Sequence, residues 1–479
     1  MPRSGIKRWI PLGALAWAAA LAGGCQHYVD QPLTPGQTAA QLLARSLSSP
    51  DLREFLKQNL GHDLPEWPLK TWDFETLNWA AFYYNPTLEL ARRQWAGAQG
   101  AILTGAERPN PSLTLTPGYD FNPAAGTISP WLPGLTVDVP VETAGKREKR
   151  IKQAEWLAEA TRQNIFAAAW QVRADLRQAL IEWDAAGRRA TAAAQAVGLE
   201  QQVLNRLQQR VDAGALAAGE MSTARLALVK AQSDAGNAAR GVGMARARIA
   251  EVIGVPVSAL EGVELSAAQV TTGKTFTPDD LAAARAVSLQ TRADILSTIA
   301  NYAASQSALQ LEIAKQYPDI HLGSGYQYDL GENKWSLSFG VDLPIFNQNQ
   351  GPIAEAAAAR QTAAAQILAA QAHVIAQIDA AAAANAAAAG LMEDLGRQNA
   401  EMQKHLEQVN SQISAGAGDP LDQLTAQIDL GAGNLALLDA QAQAAAASGQ
   451  LEDALQVPLA NLPAVQNDPR APTAKPASP

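Results

Sequence analysis

Between Gly145 and Val211 the chain runs for 67 residues without a proline and with only two glycines after the first, Gly187 and Gly198. This predicts one very long helix. Its apolar residues recur every seven positions, at Ala169, Leu176, Trp183, Ala190, Val197, Leu204 and Val211. A second set, Val172, Ala179, Ala186, Ala193 and Leu207, completes a seam broken only by Glu200. At ~1.5 Å per residue such a helix reaches roughly 100 Å, several times the usual globular length. A second arm follows from about Pro352 to Ile413, with Ile367, Val374, Ala381, Ala388, Leu395, Met402 and Val409 at the same spacing. A chain with two such arms cannot be one compact domain.

The segments before the first arm recur before the second, in the same order. A helix over about Trp72 to Glu107, with a turn-like Asn85-Pro86 inside it, is stopped by Pro109 and Pro111; its counterpart runs from Asp280 to Gln316 and is stopped by Pro318. Two alternating strands come next in each half. They are expected at about 112–121 and 134–141, then at 319–329, where the alternation extends to Leu330, and at 334–345, where Trp335, Leu337, Phe339, Val341, Leu343 and Ile345 alternate with polar residues. Pro111 and Pro318 are 207 residues apart, Pro140 and Pro344 204, Gly145 and Gly351 206, Gly214 and Gly416 202, and Pro256 and Pro458 202. Such a steady offset implies an internal duplication. The repeats are expected at 71–256 and 280–458, joined by a linker at 257–279.

Four strands per chain cannot close a barrel, and an open sheet edge cannot face lipid, so several copies must pool their strands. Each long arm matches in length a pair of shorter helices stacked end to end.

The ends of the chain suggest an address. Arg3, Lys7 and Arg8 precede an apolar run from Trp9 to Leu21 and the small residues Ala22, Gly23 and Gly24, which reads as a signal peptide over 1–24. Cys25, the chain's only cysteine, then stands at a lipoprotein processing site, with Ala22 where that motif prefers Leu. Residues 25–70, rich in proline, read as an extended lipidated linker with one short helix near 51–60, and 459–479 as a disordered tail. No later stretch reaches 18 unbroken apolar residues, so no membrane-crossing helix is expected.

The chain resembles the TolC family of bacterial outer-membrane efflux channels over residues 70 to 460. The resemblance rests on Asn85-Pro86-Thr87-Leu88, Pro111-Ser112-Leu113, Val139-Pro140-Val141-Glu142-Thr143-Ala144-Gly145-Lys146-Arg147, Leu343-Pro344-Ile345-Phe346-Asn347, and the two glycine turns, in that order and in duplicate. It implies a mixed α and β chain with four strands contributing to a trimeric transmembrane β-barrel and long helices forming a periplasmic α-helical barrel. It implies a homotrimer lipid-anchored in the outer membrane and docked at its periplasmic end by an adaptor protein and an inner-membrane pump. The Glu142 to Arg147 stretch and the processing site look most like members paired with resistance-nodulation-division pumps, the heavy-metal branch included.

Both glycine turns carry an acid six residues on, Glu220 after Gly214 and Asp422 after Gly416. By the resemblance these acids, with Asp419, form a periplasmic gate, and a ring of them would favour cations. Acids at helix starts also serve as caps, and that reading stands equally. Thr425 occupies the place of a second gate acid in some members. The turns around Gly214 and Gly219, and around Gly416 and Gly418, are the adaptor-docking surfaces the resemblance implies, with plain helix reversal as the other reading. Lys146, Arg147, Lys149 and Arg150 read as a solvated helix face, or alternatively as a contact for lipid phosphates.

The remaining residues argue against other classes. A net charge of -9 with no basic stripe gives no support for nucleic-acid binding. The five histidines are scattered, so no metal centre is expected, and Gly241 to Gly243 lacks the rest of a nucleotide fingerprint. No enzyme and no cofactor is expected. The function expected is an exit duct that passively conducts small molecules or metal ions outward, with a protein-secretion channel as the alternative of the same class. A periplasmic helical scaffold lipoprotein without a pore is the alternative of another class.

Overall fold

The computed structural model describes residues 27–61, 64, 66–271, 277–329 and 331–456. The signal segment, Cys25, Leu330, Pro458 and the tail lie outside them. The chain divides into two compact units, residues 1–45 and 46–479. The first contains α1 (Pro35–Leu43), started by proline in its first turn and by Thr34, whose hydroxyl accepts from the Gln37 N–H.

The second unit opens with α2 (Pro50–Leu60), β1 (Thr71–Trp72), α3 (Phe74–Tyr84) and α4 (Pro86–Ala106). The strands β2 (Ser112–Thr116) and β3 (Gly134–Val141) follow, and then the long α5 (Lys146–Asp212). Past the first tip come α6 (Met221–Ile253), β4 (Glu264–Leu265) and α7 (Ala268–Thr271). The second repeat contains α8 (Pro278–Thr291), α9 (Ala293–Ala314), β5 (Ile320–Asp329), β6 (Glu332–Val341), α10 (Gln350–Ser414) and α11 (Pro420–Leu455). The two arms are 67 and 65 residues long. Each lies beside two shorter helices, α4 and α6 against α5, and α9 and α11 against α10; α5 also packs against α9 and α11 of the other repeat.

Several boundaries differ from the expected ones, each for a non-local reason. From Ser46 on, the supposed linker is folded: Leu47, Leu52, Phe55, Leu56 and Leu64 join the largest core, and prolines that suggested an extended chain instead start helices. The stretch after Pro256 is likewise part of the core, through Leu260, Leu265 and Val270, because β4 pairs in parallel with β1. The helix expected over Asp280 to Gln316 breaks at Arg292, whose backbone is extended as Asn85's is. These two residues are 207 apart, so the break repeats where no proline marks it. The strand after Pro111 ends at Thr116, with Tyr119 bridging to Trp131 beyond it, and β6 ends at Val341.

The large core gathers α2, α3, the middle of α5, the end of α6 and the β4 region; a smaller one, of Ile295, Val374, Ile378, Leu451 and Leu455, serves the second repeat. Along α5 the seam residues Ala169, Val172, Leu176 and Ala179 are buried, whereas Ala190, Val197 and Leu204 nearer the tip are half-buried. The arm α10 is long and apolar enough by length and composition to cross a membrane, yet only 11% of that window is buried. Its apolarity is mostly alanine spread around the helix, suited to close packing against other helices.

The four long strands form one antiparallel sheet in the order β2-β3-β5-β6. One face carries Leu113, Leu115, Val137, Val139, Leu322, Trp335, Leu337 and Phe339; the other carries Ser112, Thr114, Thr136, Asp138, His321, Ser336 and Ser338. Trp335, Leu337 and Phe339 are 78 to 80% exposed side by side, which is unfavourable in water and favourable against lipid. The hairpin registers carry the duplication. Ser112 opposes Asp138, and offsets of 207 and 204 map that pair onto Asp319 and Asp342, the continuation of the register in which Ile320 opposes Val341.

Candidate functional site

The two tips are built alike. At each, the arm ends on an alanine cap and a left-handed glycine, Gly214 with φ 73° and Gly416 with φ 75°. The Ala215 N–H donates to the Arg210 carbonyl at 2.8 Å and the Ala417 N–H to that of Gln412 at 3.0 Å, closing the same six-residue turn. A side chain at either glycine would be strained whatever the space around it. Gly418 is required for another reason, since a Cβ there would stand 2.6 Å from the Ile413 side chain. Gly219 has open space around it.

The three acids are not equivalent. Asp419 caps α11, accepting from the Leu421 N–H at 2.9 Å, and forms an ion pair with Arg210 on α5. The Arg210 guanidinium, followed by the Leu421 N–H, holds the Asp419 carboxyl below its usual range. Asp422, three residues on, is exposed and also lies within the field of Arg210. Glu220 ends a short 3-10 turn at the other tip, exposed and making no side-chain cap bond. Asp419 therefore ties the two repeats together at the tip, while Glu220 and Asp422 extend into solvent. Arg210 was not singled out from the sequence; its offset partner is Gln412, and that asymmetry between otherwise matching turns is the signal that would have found it.

A second cluster lies where strands meet arms. Lys146, the first residue of α5, is buried and its Nζ stands 2.7 Å from Asp319 Oδ1, which also accepts from the Thr143 N–H at 2.9 Å. Burial works to raise the Asp319 carboxyl, but the bonds from Lys146 and Thr143 outweigh it and hold it below its usual range. Arg147 Nε donates to the Ala106 carbonyl at 2.6 Å, and Arg150 reaches both Glu142 and the Glu107 carbonyl. Three of the four members of the basic run thus have partners within the chain, Lys146 at the start of β5, Arg147 at the end of α4, and Arg150 at Glu142 and the Glu107 carbonyl, while Arg147, Lys149 and Arg150 stay part-exposed. In the second repeat Asn349 does the same work, its amide donating to the Glu312 carbonyl at 2.7 Å.

Among the described residues no three His, Cys, Asp or Glu side chains are grouped closely enough to hold a metal ion. A half-open cavity of about 370 Å³ between α5, α10 and α11 is lined by Asp184, Arg188, Asn385, Met392 and alanines, with no convergent set of reactive groups.

A chain so duplicated has a family counterpart, and residues 82–255 match the model of the family described as outer membrane efflux protein. The cobalt-zinc-cadmium resistance protein CzcC of Cupriavidus metallidurans is 24% identical over 277 residues, 56% of this chain and 62% of that protein, so the chain spans about three-fifths of its relative's length. The outer-membrane channel OprN has a TM-score of 0.66 at 16% identity, over 90% of this chain and 98% of that one. The outer membrane protein VceC of Vibrio cholerae has 0.65 at 18%, over 80% and 95%. The resemblance read from the sequence to the TolC-type efflux channels is borne out, in family over the first repeat and in fold over both.

Proposed function

We propose that the protein is the outer-membrane exit duct of a tripartite efflux system. In this reading three copies pool twelve strands into one barrel, and their arms continue as a helical tube across the periplasm. The observation that carries it is the sheet, an exposed apolar face backed by a polar one with an open edge on each side, which lipid and further copies would cover. The exposed alanine-rich surface of α10 supports the tube, since it too awaits other helices. An acylated Cys25 would add an anchor. The adaptor would dock at the turns of Gly214, Gly219, Gly416 and Gly418 and couple the duct to a resistance-nodulation-division pump. The relative named for cobalt, zinc and cadmium resistance favours divalent metal cations as cargo over secreted protein.

The tip acids are proposed as the gate, in two roles. Asp419 holds the second repeat's turn to Arg210, and Asp422, with Glu220, places carboxylates at the entrance. The experiment is single-channel recording of the detergent-extracted protein with its oligomer mass taken from the same sample. A trimer is expected to give discrete conductance steps, and Asp422→Ala to raise the leak of large antibiotics or the conductance. A non-conducting monomer or helical dimer would leave a scaffold lipoprotein instead, and a trimer indifferent to Asp422→Ala would remove that residue from the gate.

A further inference from the structure

The duplication repeats the aromatic residues at one end of the sheet and not at the other. Tyr326 opposes Trp335 across the β5–β6 hairpin with ring centroids 5.0 Å apart, and Tyr119 bridges to Trp131 beyond the ends of β2 and β3, also at 5.0 Å. Tyr119 and Tyr326 are 207 residues apart and Trp131 and Trp335 204, the offsets that relate the strands themselves. Both hairpins thus carry the same aromatic pair at the end away from the arms. Nearest the arms they differ. Tyr317, 60% exposed, precedes β5, and Phe346, 98% exposed, follows β6. The same offsets give their counterparts as Asn110 and Glu142, the latter paired with Arg150.

Beside Tyr317 an open groove of about 640 Å³ is lined by Thr143, Ala144, Tyr317, Pro318, Ile320 and Val341. Val141, Ile320 and Val341 lie opposite one another and form the last row of the sheet's apolar face, so the groove carries that face on into the joint. Its walls are tied together. The Thr143 hydroxyl donates to the Pro318 carbonyl at 2.6 Å, the Thr143 N–H donates to Asp319 at 2.9 Å, and Lys146 neutralises Asp319. These polar groups are already partnered, and the surface the groove leaves open is apolar. Most of its lining belongs to the joint of β3 with β5, the two middle strands, so a second copy paired along a free edge would not fill it. Tyr317 stands nine residues before Tyr326. That is at most ~30 Å along a strand and, at the tilt of barrel strands, about 23 Å across the membrane, close to the roughly 25 Å apolar band of outer-membrane barrels.

We propose that this groove seats an acyl chain of an inner-leaflet phospholipid, with the Tyr317 ring at headgroup level, and that the joint of the second hairpin alone offers such a seat. The inference rests on the duct reading, which puts the sheet in lipid with the arms on the periplasmic side, and it adds a lipid contact particular to one repeat. The acyl chain lies along Ile320 and Val341. A phenol, with an apolar ring and a polar tip, suits the boundary above it. Phe346 extends the apolar surface past the end of β6, where the first repeat has an ion pair instead. Around the assembled barrel, joints that hold lipid then alternate with polar joints that do not.

Photolabelling of the full-length protein tests the seat, in vesicles of phosphatidylethanolamine and phosphatidylglycerol in which some of the phosphatidylethanolamine carries a diazirine near the glycerol end of one acyl chain. Adducts mapped by mass spectrometry are expected on residues 317–320 at several times their yield on 110–113, with residues 335–339 as the reference for the lipid-facing sheet. Tyr317→Asn gives the second joint the residue of the first, and should lower the 317–320 yield several-fold while leaving 335–339 unchanged; Tyr317→Trp should keep it. Equal yields at the two joints of the unaltered protein, a comparison that needs no variant to fold, would overturn the seat and leave the duct. So would a yield at 317–320 that Tyr317→Asn does not alter. A benzophenone side chain in place of Phe346 is expected to capture phospholipid, and capture of a second copy of the chain instead would overturn the placement of lipid at this joint. An absence of adducts on 335–339 would overturn the lipid-facing sheet and the seat together.

Discussion

Asp453, near the end of α11, is the carboxyl most displaced from its ordinary behaviour. Burial pushes it up to about 6 and neighbouring Glu452 adds to the effect, while Arg177, 2.7 Å away on α5, works against it. Arg177 can come so close because residue 449 is glycine: its Nη1 donates to the Gly449 carbonyl at 3.0 Å, and a Cβ there would stand 2.6 Å from Arg177 Cδ. The sign of the linkage follows from the direction of the shift. An unfolded Asp releases its proton near pH 4, so between about pH 4 and 6 the folded chain holds more of this proton than the unfolded one. This contribution to stability is full below about pH 4 and is lost as pH rises through 6. Its size is of order 2–3 kcal/mol. Asn cannot lose that proton, so Asp453→Asn should flatten the decline. Denaturation midpoints of both proteins between pH 4 and 7 check this; if the two run parallel, Asp453 ionises without cost in the folded chain.

At the scale of elements, the breaks at Asn85 and Arg292 set where helix ends meet across each repeat. The Asn85 side-chain oxygen accepts from the Thr87 and Leu88 N–H groups, and its amide donates to the Val252 carbonyl at 2.7 Å, at the end of α6. In the second repeat the Arg292 guanidinium reaches the Ala454 carbonyl, 202 residues beyond Val252, and pairs with Asp294. Removing a buried cap that also satisfies a carbonyl costs about 2–4 kcal/mol. Asn85→Ala should therefore lower the unfolding free energy by that amount and Asn85→Asp by less, since Asp keeps the cap and loses only the donor; equal losses in denaturant titrations would mean that the cap contributes nothing. The arms, the strands and the duplication were legible because periodicity and spacing are properties of the chain alone. The break at Arg292 was legible only through the offset from Asn85, there being no proline to mark it. The asymmetry with Gln412 marks Arg210 as a position, but the partners of Lys146 and Arg210 were not legible, as they lie 173 and 209 residues away and a charged side chain on a helix carries no record of what it will face. The short strands β1 and β4 escaped for the same reason: two residues have no period, and only their pairing makes them strands.

Across the whole molecule the repeats are tied at successive levels: β3 with β5 in the sheet, Lys146 with Asp319 at the joint, Arg177 with Asp453 at the core, and Arg210 with Asp419 at the tip. The last tie stands outside the large core, although Val409 on α10 and Leu424 and Ala426 on α11 are buried nearby. Near the tip the α5 seam is only half-buried, so this ion pair is a side-chain link between the two repeats there. Arg210 holds the Asp419 carboxyl below its usual range, which means that the tie is complete above about pH 4 and weakens only as pH falls through that lowered value. It should respond to salt much more than to pH near neutrality, because both side chains are over one-third exposed. If this tie restrains the proposed gate, Arg210→Asp sets two carboxylates against each other and should raise the leak of large antibiotics in cells and the open probability in bilayers. Adding Asp419→Arg restores opposite charges and should lower the leak again. The rescue should be partial, since the helix cap on the Leu421 N–H, worth about 1 kcal/mol, is lost in that variant. A leak in Arg210→Asp that the second substitution leaves unchanged would assign the effect to altered charge at the entrance, and no leak in either would mean that the tips are held by contacts other than this pair.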